Sequence, residues 1–229
     1  MGPKVKETCP VISQECIGKD IYSMWLQTKT IAGNAKPGQF VSVYTQDGGK
    51  LLPRPISLCE IDKEKGALRL VYRVTGKHTG TEGFSRLGAG AQLDLLGPLG
   101  NGFPLEEAEG KKVFLMGGGI GVPPMLETMK QLHAQKMAVL GYRDELFLDK
   151  EFAKNGDVYI ATEDGSAGTK GNVLNAIREK GLEADVIFAC GPTPMLRALK
   201  EYAAENNITC WISMEERMAC GIGACLGCV

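Results

Sequence analysis

The chain has 229 residues, a formal net charge of −1 from 26 basic and 27 acidic side chains, 44% hydrophobic and 23% charged residues, and 30 glycines. Such a composition belongs to a folded globular protein with many tight turns, and at about 150 residues per domain the length suits two moderate domains. No broad positive field invites nucleic acid, no window approaches the ~20 apolar residues that span a bilayer, and the charged residues 1–8 carry no apolar signal core, so a cytoplasmic protein without a membrane partner is expected.

In chain order, residues 21–28, 39–44, 56–61, 67–74 and 91–95 are short β-branched and aromatic runs separated by Gly, Pro, Asn and Asp. This is the pattern of a small antiparallel barrel, with one short helix near 81–87. After Lys112 the rhythm changes. Strands are expected at 113–116, 138–142, 158–162, 186–189 and 208–214, and helices at 123–134, 172–179 and 194–205. Such alternation implies a parallel sheet covered on both faces, with ligands at the carboxyl ends of its strands. The predicted fold class is α+β with two domains, an antiparallel six-stranded β-barrel over 1–105 and a doubly wound parallel α/β domain over 106–215. A small segment, 216–229, built from Cys, Gly and Ala, follows.

In the barrel half, Pro55 stiffens the start of Arg54-Pro55-Ile56-Ser57, and Arg54 offers a planar, permanently charged fork suited to a phosphate. Val71-Tyr72-Arg73 and Gly80-Thr81 add a strand end, a second guanidinium and a glycine-hydroxyl pair that would complete a flavin nucleotide site. A plainer reading makes Arg54 and Arg73 solvated charges and Tyr72 a rim aromatic.

Gly117-Gly118-Gly119-Ile120-Gly121-Val122-Pro123-Pro124 follows a hydrophobic strand and opens a helix. Consecutive glycines let backbone lie against a pyrophosphate, and a helix N-terminus offers unpaired N–H groups. Here Pro124 stands where G-x-G-x-x-G has its third glycine, and the next strand ends in Gly-Tyr-Arg-Asp at 141–144 without a clear acidic residue, so a tight strand-to-helix turn is the alternative. Later strand ends carry Thr162-Glu163-Asp164-Gly165 and Cys190-Gly191-Pro192. The latter would face the same crevice, although a lone cysteine such as Cys190 is more often a small buried hydrophobe.

Of the 8 cysteines, Cys220, Cys225 and Cys228 sit in a C-x4-C-x2-C pattern, the plant-type [2Fe–2S] spacing, in which a fourth cysteine follows later. Gly221, Gly223 and Gly227 would allow backbone N–H groups to approach the sulfurs. A zinc site prefers paired C-x2-C units, and a disulfide framework does not suit clustered cysteines in a chain without a signal peptide. The fourth ligand is expected from a folded-back Cys210 or, more economically, from a cysteine beyond residue 229; the chain as written is expected to bind FAD but to hold the cluster weakly or not at all. Neither His78 nor His133 sits in a ligand or triad pattern.

Taken in order, Arg54–Ser57, Val71–Arg73, Gly80-Thr81, Gly117–Gly121, Cys190–Pro192 and the C-terminal cysteines resemble the ferredoxin reductase-like flavoproteins, and among them the electron-transfer subunits of NAD-dependent dihydroorotate dehydrogenase B. The resemblance implies an FAD-binding barrel, an NAD-binding α/β domain and a [2Fe–2S] tail. It implies that Arg54 meets the FAD phosphates or flavin edge, Ser57 reaches flavin N5, residues 71–73 line the flavin and Gly80-Thr81 hold the pyrophosphate. The partner it implies is an FMN-containing dihydroorotate dehydrogenase catalytic subunit, two copies of each, with NAD+/NADH as substrate and a place in pyrimidine synthesis. Related reductase subunits of sulfide dehydrogenases or ferredoxin:NADP+ oxidoreductases use the same motifs, and a non-catalytic nucleotide- or metal-sensing module is the alternative of a different class. Plant ferredoxin reductases carry an aromatic where Ile56 stands, which implies a different stacking of the flavin. NAD over NADP follows from the resemblance alone, since Arg143 also suits a 2′-phosphate.

Overall fold

The computed structural model describes residues 3–216 and 218–225. The chain divides into two compact units. One takes the chain up to Gly102 and again from Glu215 onward, and the other runs from Phe103 to Met214.

The first unit holds β1 (Val5–Gly18), β2 (Ile21–Gln27), helix α1 (Lys29–Asn34), β3 (Phe40–Val43), β4 (Arg54–Asp62), β5 (Ala67–Arg73), helix α2 (Gly80–Ser85) and β6 (Gln92–Leu99). The six strands close into an antiparallel barrel in the order β1-β2-β5-β4-β3-β6. Alternate residues of each strand, among them Val11, Met24, Leu26, Leu58, Leu68, Leu70, Leu93 and Leu95, fill its interior, as the two-residue period of a half-buried strand requires.

The longest strand, β1, is absent from the expectation drawn from local patterns, and its behaviour explains why. Residues 5–10 pair with β6 and residues 11–18 with β2, with register shifts after Val11 and after Cys16. Two partners, Pro10 and two irregularities break the alternation that marks a strand in sequence. Helix α1 is also new, and β1 supplies its cap. Thr28 makes no side-chain cap of its own, and the Glu7 carboxylate accepts from the N–H groups of Thr30 and Ile31, each at 3.3 Å, satisfying donors that a helix start leaves unpaired.

The second unit holds β7 (Lys112–Gly118), α3 (Pro123–Gln131), β8 (Gln135–Tyr142), α4 (Asp149–Phe152), β9 (Asp157–Thr162), β10 (Thr169–Lys170), α5 (Val173–Lys180), β11 (Val186–Cys190), α6 (Thr193–Glu205) and β12 (Thr209–Ser213). Its strands form a parallel sheet in the order β10-β9-β8-β7-β11-β12. Helices α5 and α6 bury Val173, Ile177, Leu196 and Leu199 against Phe114, Met116, Val139 and Ile187 of one face, while α3 packs on β7 and β11 with a buried set of its own, Met125, Leu126 and Met129. The start of α5 is set by a reciprocal cap: Asn172 Oδ1 accepts from the N–H groups of Leu174 and Asn175, and Asn175 Oδ1 accepts from the N–H of Asn172. Strand order reverses between β7 and β11, the position where open α/β sheets leave a crevice for ligands. Among the described residues no helix is long and apolar enough to cross a membrane.

Candidate cofactor sites

Arg54 opens β4 opposite Val43 of β3. The first residue of α2 lies directly on its side chain: a Cβ at Gly80 would stand 2.7 Å from Arg54 Nε, 3.0 Å from Arg54 Cγ and 2.9 Å from Thr45 Cγ2. Only a residue without a Cβ lets the helix start this close to the guanidinium. Thr79 sets that start. Its hydroxyl donates to Gly76 O at 2.8 Å and accepts from the N–H of Glu82 at 3.2 Å, so the Thr81 hydroxyl, 3.2 Å away, is the donor of their contact. The Glu82 carboxylate takes the N–H of His78 and the guanidinium of Arg86, which hold it below the usual carboxylate range. Thr79 is a supporting residue of the candidate site that sequence reading passed over, although Thr-x-x-Glu is the spacing of a helix cap.

The other barrel candidates divide between wall and core. Ile56 is buried in the barrel interior, Pro55 is exposed and Ser57 half-buried. Val71 is buried and Arg73 exposed at the end of β5. Tyr72 is neither a rim aromatic nor a free cofactor face. It is 3% exposed, stacked on Tyr22 at 5.9 Å between centroids and edge-on to Phe84 at 6.1 Å. Burial, with the neighbouring Tyr22, pushes its phenol well above the ordinary range. The reason is strand parity: Leu68, Leu70 and Tyr72 share the inward face of β5.

The cysteine loop belongs to the same unit as the barrel. Gly221 (φ +70°) and Gly223 (φ +80°) take left-handed backbone, and a Cβ at Gly221 would stand 3.3 Å from Leu99 Cδ1 and 3.4 Å from Ser42 Oγ. The loop thus rests on β3 and β6, and because Ser42 is the register partner of Pro55, the strand that carries Arg54 and Ser57 is the next one over. Hydrogen bonds from the N–H of Ile222, from the Cys225 side chain and from the N–H groups of Cys225 and Ala224 lower the Cys220 thiol to about 6. A ring of N–H donors around a thiolate is the environment an iron–sulfur loop provides. Cys228 lies outside the described residues, and among those described no set of three or more metal-ligating side chains is gathered.

The Cys220 surroundings carry a prediction. In metal-free protein, alkylation of Cys220 by iodoacetamide, followed by peptide mass spectrometry, is expected to rise through a midpoint near pH 6. A midpoint at the roughly 8.5 of an ordinary thiol would show that the N–H ring does not form.

In the second unit the glycine turn and the Cys190 turn interlock. Cys190 is the register partner of Gly117. A Cβ at Gly121 would stand 2.3 Å from Cys190 O and 2.6 Å from Gly191 N, and one at Gly118 would stand 2.6 Å from Met195 Sδ and 3.0 Å from Pro192 Cδ. Gly121 is therefore buried against backbone across the switch point and Gly118 against the side chains of Met195 and Pro192, and Gly119 (φ +52°) and Ile120, 37% exposed, form the accessible crest. The expectation of free N–H groups at the helix start is corrected. Pro123 and Pro124 have no N–H, and those of Val122 and Met125 are bonded to Gly119 O and Val122 O. The crest, not the start of α3, is where this turn leaves backbone accessible. Arg143 is exposed just past β8.

Residues 8–103 match the oxidoreductase FAD-binding domain family. Along 98% of its length the chain is 45% identical to the dihydroorotate dehydrogenase B (NAD(+)) electron transfer subunit of Bacillus cereus (strain B4264), covering 88% of that protein. It superimposes on the structure of an NADH-dependent reduced ferredoxin-NADP oxidoreductase with a TM-score of 0.85 at 30% identity, over 96% of this chain and 80% of that one. The flavohemoglobin of Malassezia yamatoensis, at a TM-score of 0.75 and 22% identity over 91% of this chain and 60% of that one, shares the fold. With identity at that level along nearly its whole length, the chain belongs to the family of dihydroorotate dehydrogenase B electron transfer subunits.

Proposed function

We propose that this chain is the subunit that carries electrons from an FMN-containing dihydroorotate-oxidising partner to NAD+ in pyrimidine synthesis, working in the cytoplasm as two copies of each subunit. The observation that carries the reading is the placement of the cysteine loop against Ser42, next to the Arg54–Ser57 strand. One unit thereby gathers a thiolate loop, resting on β3, and an arginine suited to phosphate on the neighbouring β4, as a relay between a metal cluster and a flavin requires. Residues 1–105 form the FAD domain in this reading, 106–215 the NAD domain and 216–229 the cluster segment.

The residues fit the groups they would hold. Arg54 would pair its fork with the FAD pyrophosphate, with Gly80 and Thr81 presenting backbone and hydroxyl beside it, while Ser57 would donate toward flavin N5 and Arg73 would lie at the cofactor's edge. Gly118, Gly119, Ile120 and Gly121, faced by Cys190, Gly191 and Pro192, would seat the nicotinamide nucleotide. Cys220, Cys225 and Cys228 would supply three thiolates to a [2Fe–2S] cluster whose fourth ligand lies elsewhere. When bound, FAD supplies hydride and one-electron chemistry and the cluster a one-electron relay; the protein supplies position, charge and exclusion of water.

The protein purified with its natural partner tests this. Flavin absorption bleached by NADH, together with an FMN-containing, dihydroorotate-oxidising companion, is the expected result. A ferredoxin-linked companion in its place would move the chain to a related reductase, and a protein that stays colourless after incubation with FAD would sink the redox reading altogether.

A further inference from the structure

We infer that Gln14, far from every nucleotide motif in sequence, is a positioning residue for the FAD phosphate site. The inference rests on the proposed role of Arg54 and Gly80. The register shift between Val11 and Ser13 resets the alternation of β1 and places Gln14 opposite Met24, a core residue of β2. There its side chain makes three hydrogen bonds to distant segments. Nε2 donates to Phe84 O at 3.0 Å and to Leu87 O at 2.7 Å, and Oε1 accepts from the Tyr72 hydroxyl at 2.6 Å. The orientation of the amide is not arbitrary, because two backbone carbonyls can only accept.

Phe84 lies in the last turn of α2 and Leu87 just past its C-cap, Arg86; the Phe84 carbonyl already takes the N–H of Leu87 at 3.0 Å, and Gln14 adds a second bond to it and one to the Leu87 carbonyl, tying the end of the helix to β1. At six residues α2 is about 9 Å long and too short to hold itself in place. Its position therefore comes from what grips it. Gln14 grips the C-terminal end, backed by the Tyr72 ring edge-on to Phe84. At the other end Gly80 is in contact with Arg54 and Thr45, with no room for a methyl group. A short rigid element clamped at one end transmits a displacement there to the other, so loss of the Gln14 bonds withdraws Gly80 from Arg54 and loosens the guanidinium.

Gln14→Glu isolates the effect. It preserves shape and the bond from Tyr72, and replaces both donors to α2 with acceptors that repel the carbonyls. FAD affinity is measured by fluorescence titration of apoprotein, well below the thermal midpoint recorded for each variant by circular dichroism. The FAD Kd is expected to rise about tenfold. In the Arg54→Ala background the same change should add little, because the two act on one contact. Gln14→Met, which removes all three bonds without adding charge, serves if the glutamate variant does not fold, with the same expectation. A lowered midpoint with unchanged Kd would leave Gln14 merely structural and overturn the inference, as would losses that add in the double variant. Wild-type apoprotein that takes up no FAD would instead overturn the proposed function itself.

Discussion

Gly121→Ala is expected to abolish reduction of the flavin by NADH while leaving FAD in place. The added methyl would stand 2.3 Å from Cys190 O and 2.5 Å from its carbonyl carbon, and both neighbours are backbone at the end of a central strand. No side-chain rotation relieves the overlap, so the glycine turn and the Cys190 turn must separate. Overpacking of this kind costs ~1–3 kcal/mol of stability. A displacement of about 1 Å in a positioned reactant costs roughly 100-fold in rate, and kcat/KM for NADH in a dye-reduction assay should fall at least that far. Flavin content, read from the absorption spectrum, should be near that of the unaltered protein, because the overlap arises entirely within the Phe103–Met214 unit. Retention of full NADH activity would mean that the interlocked turns do not form the nucleotide seat.

Arg54→Ala is expected to strip FAD. The arginine presents a fork that can take two oxygens of one phosphate group, and a charge-assisted hydrogen bond of this sort contributes ~1.5–3 kcal/mol. That corresponds to roughly a 10- to 150-fold rise in the dissociation constant, enough for the protein to lose its colour on gel filtration in FAD-free buffer. Arg54→Lys keeps the charge and loses the fork, so it should fall between the two. Unchanged flavin occupancy in the alanine variant would remove Arg54 from the site.

Local pattern in the sequence carried the second unit almost whole. Its five longer strands and its three longer helices lie within a few residues of where hydrophobic runs, Pro123 and Asn172 place them, whereas the two-residue β10 and the single-turn α4 are too short to leave a periodic signal. The barrel was less legible. Its five alternating runs stand where expected, but β1 divides itself between β6 and β2, and no single alternation runs through it. Helix α1 is capped from β1, 23 residues away, and a cap supplied from that distance leaves no local signature.

The candidate residues divide in the same way. Residue type and spacing by themselves carry the chemical proposal: a guanidinium suited to phosphate, glycines that permit a close approach of backbone, and the C-x4-C-x2-C spacing of a cluster loop. Tertiary structure alone decided which of them meet. It sent Tyr72 into the core, set Gly80 on Arg54, locked Gly121 against Cys190 and laid the cysteine loop beside Ser42. It also brought in Gln14, whose bond to Leu87 O spans 73 residues. Backbone periodicity records which face of an element is buried, but the partner across that face is chosen only when strands far apart in sequence close the barrel, and no neighbouring residue specifies that pairing.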